Sequence, residues 1–590
     1  MTLGIGMSAT AREAAAQSGP SAAEAPRGLE ARGWTPQSVE CAPKLAALAS
    51  LSRLSPPQPV PSVSYHSRGN LLIVAGDESA RARACAERLA VSLAVTLLEA
   101  RPGGATLDSV KLWSGRVEGI AGYLGQFDVV IAGLSGGGVD GLAQAAPARF
   151  DLVLDFSAQP LFAMRQPPQG YFRAPREADA LEATLAELRE AVGEFEKPRF
   201  FAYRENLCAH SRSQVTGCTA CVDICSTRAI SSEGERVRVD PHLCMGCGAC
   251  ATVCPSGAMG YQFPRTAERG VQLRQMLAAY ADAGATGACV VFHDGGAARE
   301  LLSRAVASGA GLPSRALPLE AWHVAAIGLD LMLPAIAYGA SQVVVLSAGA
   351  EDREYLAALR AQMQIGEAIL AGLGRPGRHF AVLEARDTAS LGAAFASLEP
   401  VPESVPPAAF APSDDKRTAI EFAVEHLAKL APSPVTEVAL PEGAPWGAVG
   451  VDRDRCTMCM SCVGACPESA LMDGVDRPLL KFVERNCVQC GLCEATCPED
   501  AITLSPRLLL GAPAREARLL NETEPFRCVR CDKPFGTRQM IEAMLGRLAS
   551  HGMFTRPEAL RRLQMCGDCR VIDMMSSKDE VSVLDSGGRP

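Results

Sequence analysis

The chain has 590 residues, 48% of them hydrophobic, so it is long enough for about four domains with cores of their own. Its 57 Lys and Arg against 66 Asp and Glu give a net charge of −9, which argues against a nucleic-acid-binding protein with a basic face. Disulfide scaffolds are typical of short secreted chains, and no secretory leader pattern opens this sequence, so its 23 cysteines predict metal binding in a reducing, cytoplasmic setting.

The first 200 residues lack a cofactor motif. Residues 1–68 are rich in Ala, Ser and Pro and are expected to be disordered, apart from one helix at 43–55. Residues 69–200 alternate short apolar runs with amphipathic stretches, which predicts an α/β domain. The Gly-rich stretch 133–141 lacks the GxGxxG spacing and is predicted to be a plain loop.

Residues 201–265 carry the first cysteine block. Its second half is complete, with the spacing C-x2-C-x2-C-x3-C-P typical of bacterial dicluster iron–sulfur proteins, at Cys244, Cys247, Cys250, Cys254 and Pro255. The first half keeps its last three cysteines, at Cys218, Cys221 and Cys225.

The first cysteine of that half is displaced. The spacing calls for a cysteine where Val215 stands, and the nearest earlier one is Cys208, ten residues before Cys218. A longer loop can deliver Cys208, since closure entropy grows slowly with length, and we favour it as the ligand. Without it the site has three ligands and suits a [3Fe–4S] cluster, and His210 is an alternative ligand. Ser226 replaces the usual proline and is expected to loosen one turn.

Residues 266–398 again alternate strands with helices, which predicts a second α/β domain with a mainly parallel sheet. Its apolar segment 322–340 resembles a membrane span, but it contains Asp330, which costs about 2.5–3.5 kcal/mol on insertion, and Pro334. We therefore expect a buried helix pair and no direct membrane span. A linker and a helix follow at 399–445.

Residues 446–510 carry two complete C-x2-C-x2-C-x3-C-P runs, separated by 20 residues. In this arrangement the fourth cysteine of each run ligates the cluster of the other run. One [4Fe–4S] cluster should therefore use Cys456, Cys459, Cys462 and Cys497, and the other Cys487, Cys490, Cys493 and Cys466. The same rule assigns the first block to a set of Cys208, Cys218, Cys221 and Cys254 and a set of Cys244, Cys247, Cys250 and Cys225.

The tail, residues 511–590, holds two C-x2-C pairs, Cys528 with Cys531 and Cys566 with Cys569. Two such pairs predict a structural zinc ion held tetrahedrally by four thiolates. Their spacer of 34 residues is long for a zinc ribbon and looks helical, so a fifth iron–sulfur centre and free thiols stay open as alternatives. Cys41, Cys85 and Cys289 stand alone, and no set of catalytic residues is predicted.

The expected fold class is a multidomain α+β and α/β protein. It comprises two bacterial-type (βαβ)2 dicluster ferredoxin modules, two three-layer α/β domains and a small C-terminal Zn-binding helical tail. The two cysteine blocks resemble bacterial dicluster [4Fe–4S] ferredoxin modules, which implies electron transfer. Residues 285–390 are similar to the delta-subunit family of methyl-viologen-reducing hydrogenase, a partner of heterodisulfide reductase, through the stretches Tyr338-Gly-Ala and Gln342-VVVLSAG. That family carries cluster cysteines in this domain, whereas only Cys289 remains here.

The whole layout also resembles a group of proteobacterial 4Fe–4S proteins associated with formate dehydrogenases. The matching landmarks are the stretches 166–172, 208–213 and 526–537. The resemblance implies formate dehydrogenase subunits as redox partners. We expect a non-catalytic protein or oxidoreductase subunit that relays electrons through four [4Fe–4S] clusters, with zinc and no flavin. A flavin-containing electron-splitting oxidoreductase subunit and a metalloenzyme assembly factor are the alternatives.

Overall fold

The computed structural model describes residues 42–101, 106–136, 146–308, 311–398, 403–554 and 556–576. Two elements precede the first domain, helix α1 (Ala42–Leu51) and strand β1 (Ser62–Ser67). Apolar side chains of α1, such as Ala47 and Leu48, are buried in the core of the second α/β domain. The helix predicted at 43–55 is present as α1, whereas strand β1 lies in a stretch that was expected to be disordered. Residues 1–41, with Cys41, lie outside the described residues.

The first α/β domain is built on one seven-stranded sheet. Its elements are β2 (Asn70–Val74), α2 (Ser79–Leu89), β3 (Ala94–Glu99), β4 (Val110–Tyr123), β5 (Gln126–Ser135), β6 (Ala146–Phe150), β7 (Leu152–Asp155), β8 (Tyr171–Arg173), α3 (Ala178–Glu190) and β9 (Gly193–Pro198). The strand order is β6-β5-β4-β3-β2-β7-β8. Strands β4, β5 and β6 pair antiparallel, the other neighbours pair parallel, and β9 pairs antiparallel with β1.

This domain has helices on one face of its sheet. Residues of α2 and α3, such as Leu89 and Leu185, share one core with β2, β3 and β7. On the opposite face the strand side chains pack against Phe162 and Tyr171. Among the described residues that face carries no helix, so the expected three layers are two here. The Gly-rich stretch predicted as a loop runs past Gly136 into residues that the structure does not describe.

Module I, residues 201–265, has short strands and two short helices. Its elements are β10 (Phe201–Tyr203), β11 (Ser211–Arg212), β12 (Val215–Thr216), α4 (Ala220–Ile224), β13 (Ile230–Glu233), β14 (Arg236–Val239), α5 (Ala249–Val253) and β15 (Met259–Tyr261). The first and last strands pair antiparallel, as do β11 with β12 and β13 with β14. The cysteines lie in loops and short helices beside these strands.

The second α/β domain has a four-stranded, fully parallel sheet of order β17-β16-β18-β19. Its elements are α6 (Thr266–Asp282), β16 (Cys289–Asp294), α7 (Ala297–Ala307), β17 (Ala316–Ala321), α8 (Leu329–Ala337), β18 (Gln342–Ser347), α9 (Arg353–Gly372), β19 (Phe380–Glu384) and α10 (Thr388–Ala396). Helices cover both faces, as expected for three layers. The apolar segment 322–340 forms a short turn and the buried helix α8. No helix among the described residues has both the length and the apolarity to cross a membrane.

Helix α11 (Lys416–Lys429) packs on α8 and leads into module II and the tail. The elements that follow are β20 (Glu437–Ala439), β21 (Gly447–Val451), α12 (Ser461–Ala465), β22 (Leu471–Met472), β23 (Leu479–Phe482), α13 (Leu492–Ala495), β24 (Ile502–Leu509), α14 (Ala512–Arg515), β25 (Arg518–Glu522), β26 (Pro525–Arg527), β27 (Pro534–Thr537), α15 (Arg538–Leu548), α16 (Pro557–Leu563) and α17 (Gly567–Ser576). The helix predicted within residues 399–445 is therefore present as α11, and its apolar side chains, such as Ile420 and Leu427, are buried in the core of the second α/β domain.

Candidate metal centres

Two of the four predicted cysteine sets each line a cavity. Site 2 is a cavity of about 500 Å³ whose lining includes Cys225, Cys244, Cys247 and Cys250. Site 3 is a cavity of about 380 Å³ whose lining includes Cys456, Cys459, Cys462 and Cys497. In both, three cysteines of one motif meet the last cysteine of the other motif, which is the crossing pattern that the spacing predicts.

Site 1 comprises Cys208, Cys218, Cys221 and Cys254. The pKa of the Cys221 thiol is raised, first by burial and then by the charges of Cys254, Cys218 and Cys208. The pKa of Cys218 is also raised by burial, with further contributions from Cys254 and Cys208. Cys208 itself is 8% exposed. The structure therefore places the displaced Cys208 in one packed cluster with Cys221 and Cys254.

Site 4 comprises Cys466, Cys487, Cys490 and Cys493. Burial raises the pKa of Cys490 to about 11, and the charges of Cys466 and Cys487 add to the shift. The pKa of Cys493 is raised by burial and then by the other three cysteines of the set. Clustered thiols whose proton loss is this unfavourable are suited to a cationic centre that neutralises them.

A small hairpin accounts for the displaced cysteine. Strands β11 and β12 fill the extra residues between Cys208 and Cys218, and the amide of Cys218 donates to the carbonyl of Ala209 at 2.8 Å. The hairpin therefore brings Cys218 back beside Ala209, the residue that follows Cys208. His210, the alternative ligand, has its Nδ1 3.0 Å from the Cys218 carbonyl and its Nε2 2.7 Å from the hydroxyl of Ser232. Both ring nitrogens thus already have hydrogen-bond partners.

The three complete motifs share a backbone conformation that the first motif lacks. The residue after the second cysteine has a positive φ at Gly248 (77°), Met460 (63°) and Gly491 (79°), and each starts the short helix that carries the third cysteine. This left-handed turn is easy for glycine and unfavourable for methionine. Thr219, in the first motif, has a φ of −113°. The incomplete motif therefore departs in conformation as well as in spacing.

Hydrogen bonds to sulfur recur at the crossing cysteines. A backbone amide donates to Sγ in three cases, from Met259 to Cys254 (3.4 Å), from Ala470 to Cys466 (3.3 Å) and from Ala501 to Cys497 (3.4 Å). At the fourth, Cys225, the hydroxyl of Thr227 lies 3.6 Å from Sγ. Such donors stabilise a thiolate and tune the potential of a cluster bound to it.

Ser226 joins module I to both α/β domains. Its hydroxyl donates to Oε1 of Gln166 in the first domain at 3.0 Å and contacts the hydroxyl of Tyr355 in the second. The side chain is 3% exposed. The replacement of proline at this position therefore adds an interdomain contact, where the sequence suggested only a loosened turn.

Two buried lysines and a partly buried arginine bind the backbone beside the cysteines. Lys197 donates to the carbonyls of His242 and Cys244, both at 2.7 Å, and burial lowers its pKa to about 8. Lys416 and Arg417 begin helix α11 and reach the backbone of sites 1 and 4. Sequence reasoning missed all three. Lys416 and Arg417 belong to a charged run at a helix start, which usually faces solvent, and Lys197 lies in strand β9.

The two modules contact each other through sites 1 and 4. A Cβ placed on Gly217 would lie 2.7 Å from Cγ of Leu492, which neighbours the ligand positions of site 4. The charge of Cys218 also raises the pKa of Cys490, after burial and the cysteines of its own set. Within the modules, Cys221 acts similarly on Cys250, and Cys462 on Cys493. The sites therefore follow one another in the order 2, 1, 4, 3.

The four tail cysteines also converge. Their Sγ atoms all lie within 4.8 Å of one another, and those of Cys531 and Cys566 are 3.8 Å apart. A tetrahedral Zn–S site with bonds of about 2.3 Å places its sulfurs about 3.8 Å apart, so the set fits zinc. Backbone hydrogen bonds from Cys566, Arg530 and Cys531 outweigh burial and lower the pKa of Cys528 to about 6. In the part of the chain that the structure describes, no other set of three or more such side chains is this compact.

The lone cysteines lie away from these sites. Cys289 is buried in β16, where burial raises its pKa to about 11, and Cys85 is buried in α2. Ser347 ends strand β18, and its hydroxyl donates to Glu351. Each of the two cysteines is therefore a core side chain.

Two segments match a family described as a 4Fe-4S dicluster domain, residues 216–258 and residues 455–502. The chain contains two 4Fe-4S dicluster ferredoxin domains. The first match includes seven cysteines of module I and begins after Cys208. The second includes all eight cysteines of module II.

Short stretches of three redox proteins are similar to this chain. Indolepyruvate oxidoreductase subunit IorA of Pyrococcus horikoshii is 44% identical over 50 residues, 8% of each chain. Hydrogenase-4 component A of Escherichia coli is 41% identical over 39 residues, 7% of this chain and 19% of that protein. Ferredoxin 7Fe of Hydrogenibacillus schlegelii is 35% identical over 43 residues, which are 7% of this chain and 55% of that protein. The chain covers little of the first two relatives and about half of the third, and the matches support an iron–sulfur electron-transfer function.

Proposed function

We propose that this protein relays single electrons through four [4Fe–4S] clusters between a redox enzyme and an acceptor. The proposal is supported by the lining of sites 2 and 3, where three cysteines of one motif meet the last cysteine of its partner motif. The packing of Cys208 with Cys254 in site 1, and of Cys466 with Cys487 in site 4, supports the same pattern there. A [4Fe–4S] cluster, when bound, supplies one-electron chemistry at a potential that its surroundings set. Sites 1 to 4 would each hold one such cluster through their four thiolates.

The residues around the thiolates would hold and insulate the clusters. The amides that donate to the crossing cysteines orient their sulfurs, and the apolar side chains of the two modules, such as Ile230 and Phe482, exclude water. Contact between sites 1 and 4 would keep the two modules at a fixed separation. No side chain has to make or break a bond, which agrees with the lack of a predicted catalytic set.

Metal analysis of the anaerobically purified protein tests the cluster number. Four four-iron clusters predict about sixteen irons and as many sulfides per chain. Eight irons or fewer would mean that one module binds none. Flavin released on denaturation would instead favour an electron-splitting oxidoreductase subunit.

The partner would be a redox enzyme, and we propose a formate dehydrogenase in the cytoplasm. The relatives include an oxidoreductase subunit and a hydrogenase component, which supports this class of partner, and the resemblance of the layout supports formate dehydrogenase. The α/β domains would then serve as scaffolds and docking surfaces. Mixing the oxidised protein with a formate dehydrogenase and formate should bleach its visible absorbance, and no bleaching beside a functional dehydrogenase would contradict this partner.

The tail would hold one structural zinc ion through Cys528, Cys531, Cys566 and Cys569. The closeness of the four Sγ atoms supports zinc over a four-iron cube, whose inorganic core would need its thiolates farther apart. Zinc has no redox chemistry, so the site would stabilise the tail. One zinc per chain that persists in a protein lacking Cys208 is expected, because the two centres are separate.

A further inference from the structure

Lys416 binds the backbone that carries the crossing cysteine of site 1. Its Nζ lies 2.9 Å from the carbonyl of Ala251, 2.6 Å from that of Thr252 and 3.0 Å from that of Cys254. Three acceptors around one nitrogen call for the three N–H donors of an ammonium group. A positive charge is therefore fixed beside site 1, with the partly buried carboxyl of Asp330 next to it.

Arg417 binds the backbone of site 4 in the same manner. Its guanidinium donates to the carbonyls of Cys487 (3.1 Å) and Arg485 (2.8 Å) and to that of Pro445 (2.9 Å). It also lies over the ring of Trp446, 5.3 Å from the centroid. The carboxylates that face it belong to Glu468, Asp415 and Glu421. These contacts hold the charge in one place, and the carboxylates weaken its effect.

Consecutive residues of one helix therefore reach the two sites that face each other across the module contact. The rest of α11 is anchored in the core of the second α/β domain through Ile420 and Leu427. The first turn of α11 consequently holds both modules in a fixed position relative to the second α/β domain. A pocket lined by Cys254, Lys416 and Trp446 lies between them.

We infer that Lys416 and Arg417 are positioning residues that join the two modules and raise the reduction potentials of the two facing sites. The inference rests on the proposed function. Reduction adds one electron and thus one negative charge to a site, so a fixed cation nearby favours the reduced form. Sites 1 and 4 would then hold an electron more readily than they would without this pair.

A redox titration followed by electron paramagnetic resonance tests the inference on the full-length, anaerobic protein. Lys416→Gln keeps a donor but removes the charge, Lys416→Arg keeps the charge, and Lys429→Gln removes a charge at the exposed end of the same helix. We expect Lys416→Gln to lower the ratio of reduced to oxidised protein about tenfold for one of the four reductive waves, a shift of about 59 mV for a one-electron couple. The other two variants should leave that wave in place.

Arg417→Gln should lower a different wave, with Arg417→Lys as its charge-keeping control. Unmoved waves in both glutamine variants at full iron content would overturn the inference and leave the proposed function intact. An equal shift in Lys416→Arg and Lys416→Gln would also overturn it, because packing and not charge would then be responsible. If the Lys416→Gln variant loses iron, the shift of the reductive wave in the Arg417→Gln variant tests the inference. A wild-type protein without iron–sulfur signals would remove the proposed function and the inference together.

Discussion

Replacing Gly217 with alanine should loosen the contact between the two modules. The new Cβ would lie 2.7 Å from Cγ of Leu492 and 2.7 Å from the carbonyl oxygen of Ala209, both closer than a carbon normally approaches. The leucine is fully buried, and the carbonyl belongs to backbone that accepts the amide of Cys218. Overpacking of this kind costs about 1–3 kcal/mol.

The loss of visible absorbance in guanidinium measures this cost. Cluster loss is irreversible, so the observable is a rate, and about 1–3 kcal/mol corresponds to bleaching that is up to about 5- to 150-fold faster. Gly464→Ala is the matched control, since a Cβ there meets nothing within 4 Å and alanine suits helix α12 better than glycine. Its rate should be unchanged or lower.

A double-mutant cycle with Leu492→Ala separates the clash from other effects. The leucine substitution alone should cost about 2–5 kcal/mol, because it leaves a cavity. In the double mutant the shortened side chain relieves one of the two close contacts of the new Cβ. Its loss should be smaller than the sum of the single losses by more than about 0.5 kcal/mol. Additive losses, or a Gly217→Ala rate equal to that of Gly464→Ala, would refute the module contact.

Three further predictions concern single side chains. Cys208→Ser should convert one cluster to a three-iron form visible by electron paramagnetic resonance, whereas Cys85→Ser should leave the iron content unchanged; an unaltered Cys208→Ser spectrum would make that cysteine a bystander. Cys528→Ser should remove the zinc and keep the iron, and metal analysis showing zinc retained would contradict the tail site. Burial lowers the pKa of His293, so only the unfolded state takes up this proton as the pH falls below about 6.5. The folded state should then lose up to about 1.4 kcal/mol of stability per pH unit. The rate of unfolding in urea should rise accordingly as the pH falls, and the rate for His293→Gln should lack that pH dependence.

The cysteine sets could be predicted because their chemistry is local. A spacing of two residues leaves few backbone conformations that aim three sulfurs at one point, so the sequence around Cys456 or Cys244 almost determines the site. The same holds for the apolar strands β2, β16 and β18, whose side chains are buried on both faces of their sheets. Local pattern and tertiary structure agree at these positions.

The features that the sequence did not reveal depend on distant contacts. Strand β4 alternates exposed and partly buried residues and pairs with β3 and β5, which its sequence does not indicate. In the sequence, Ser226 is only a departure from the usual proline. In the structure its hydroxyl forms hydrogen bonds with Gln166 and Tyr355. Lys416 is buried because three carbonyls from module I surround it. The burial and pairing of these residues depend on contacts with residues far away in the chain, and a single sequence does not reveal those contacts.

The order of the sites, 2, 1, 4 and 3, also places sites 2 and 3 at the two ends of the row. Sites 1 and 4 lie at the contact between the two modules, so under the proposed function a partner would exchange electrons with site 2 or with site 3. The tail lies against site 3, where the hydroxyl of Thr537 donates to the carbonyl of Thr457 at 3.1 Å. Arg547 of α15 pairs with Glu499, which lines the cavity of site 3. A partner that approaches site 3 would therefore meet the tail first. The proposed zinc site, which would stabilise the tail, would then control the access of that partner to site 3.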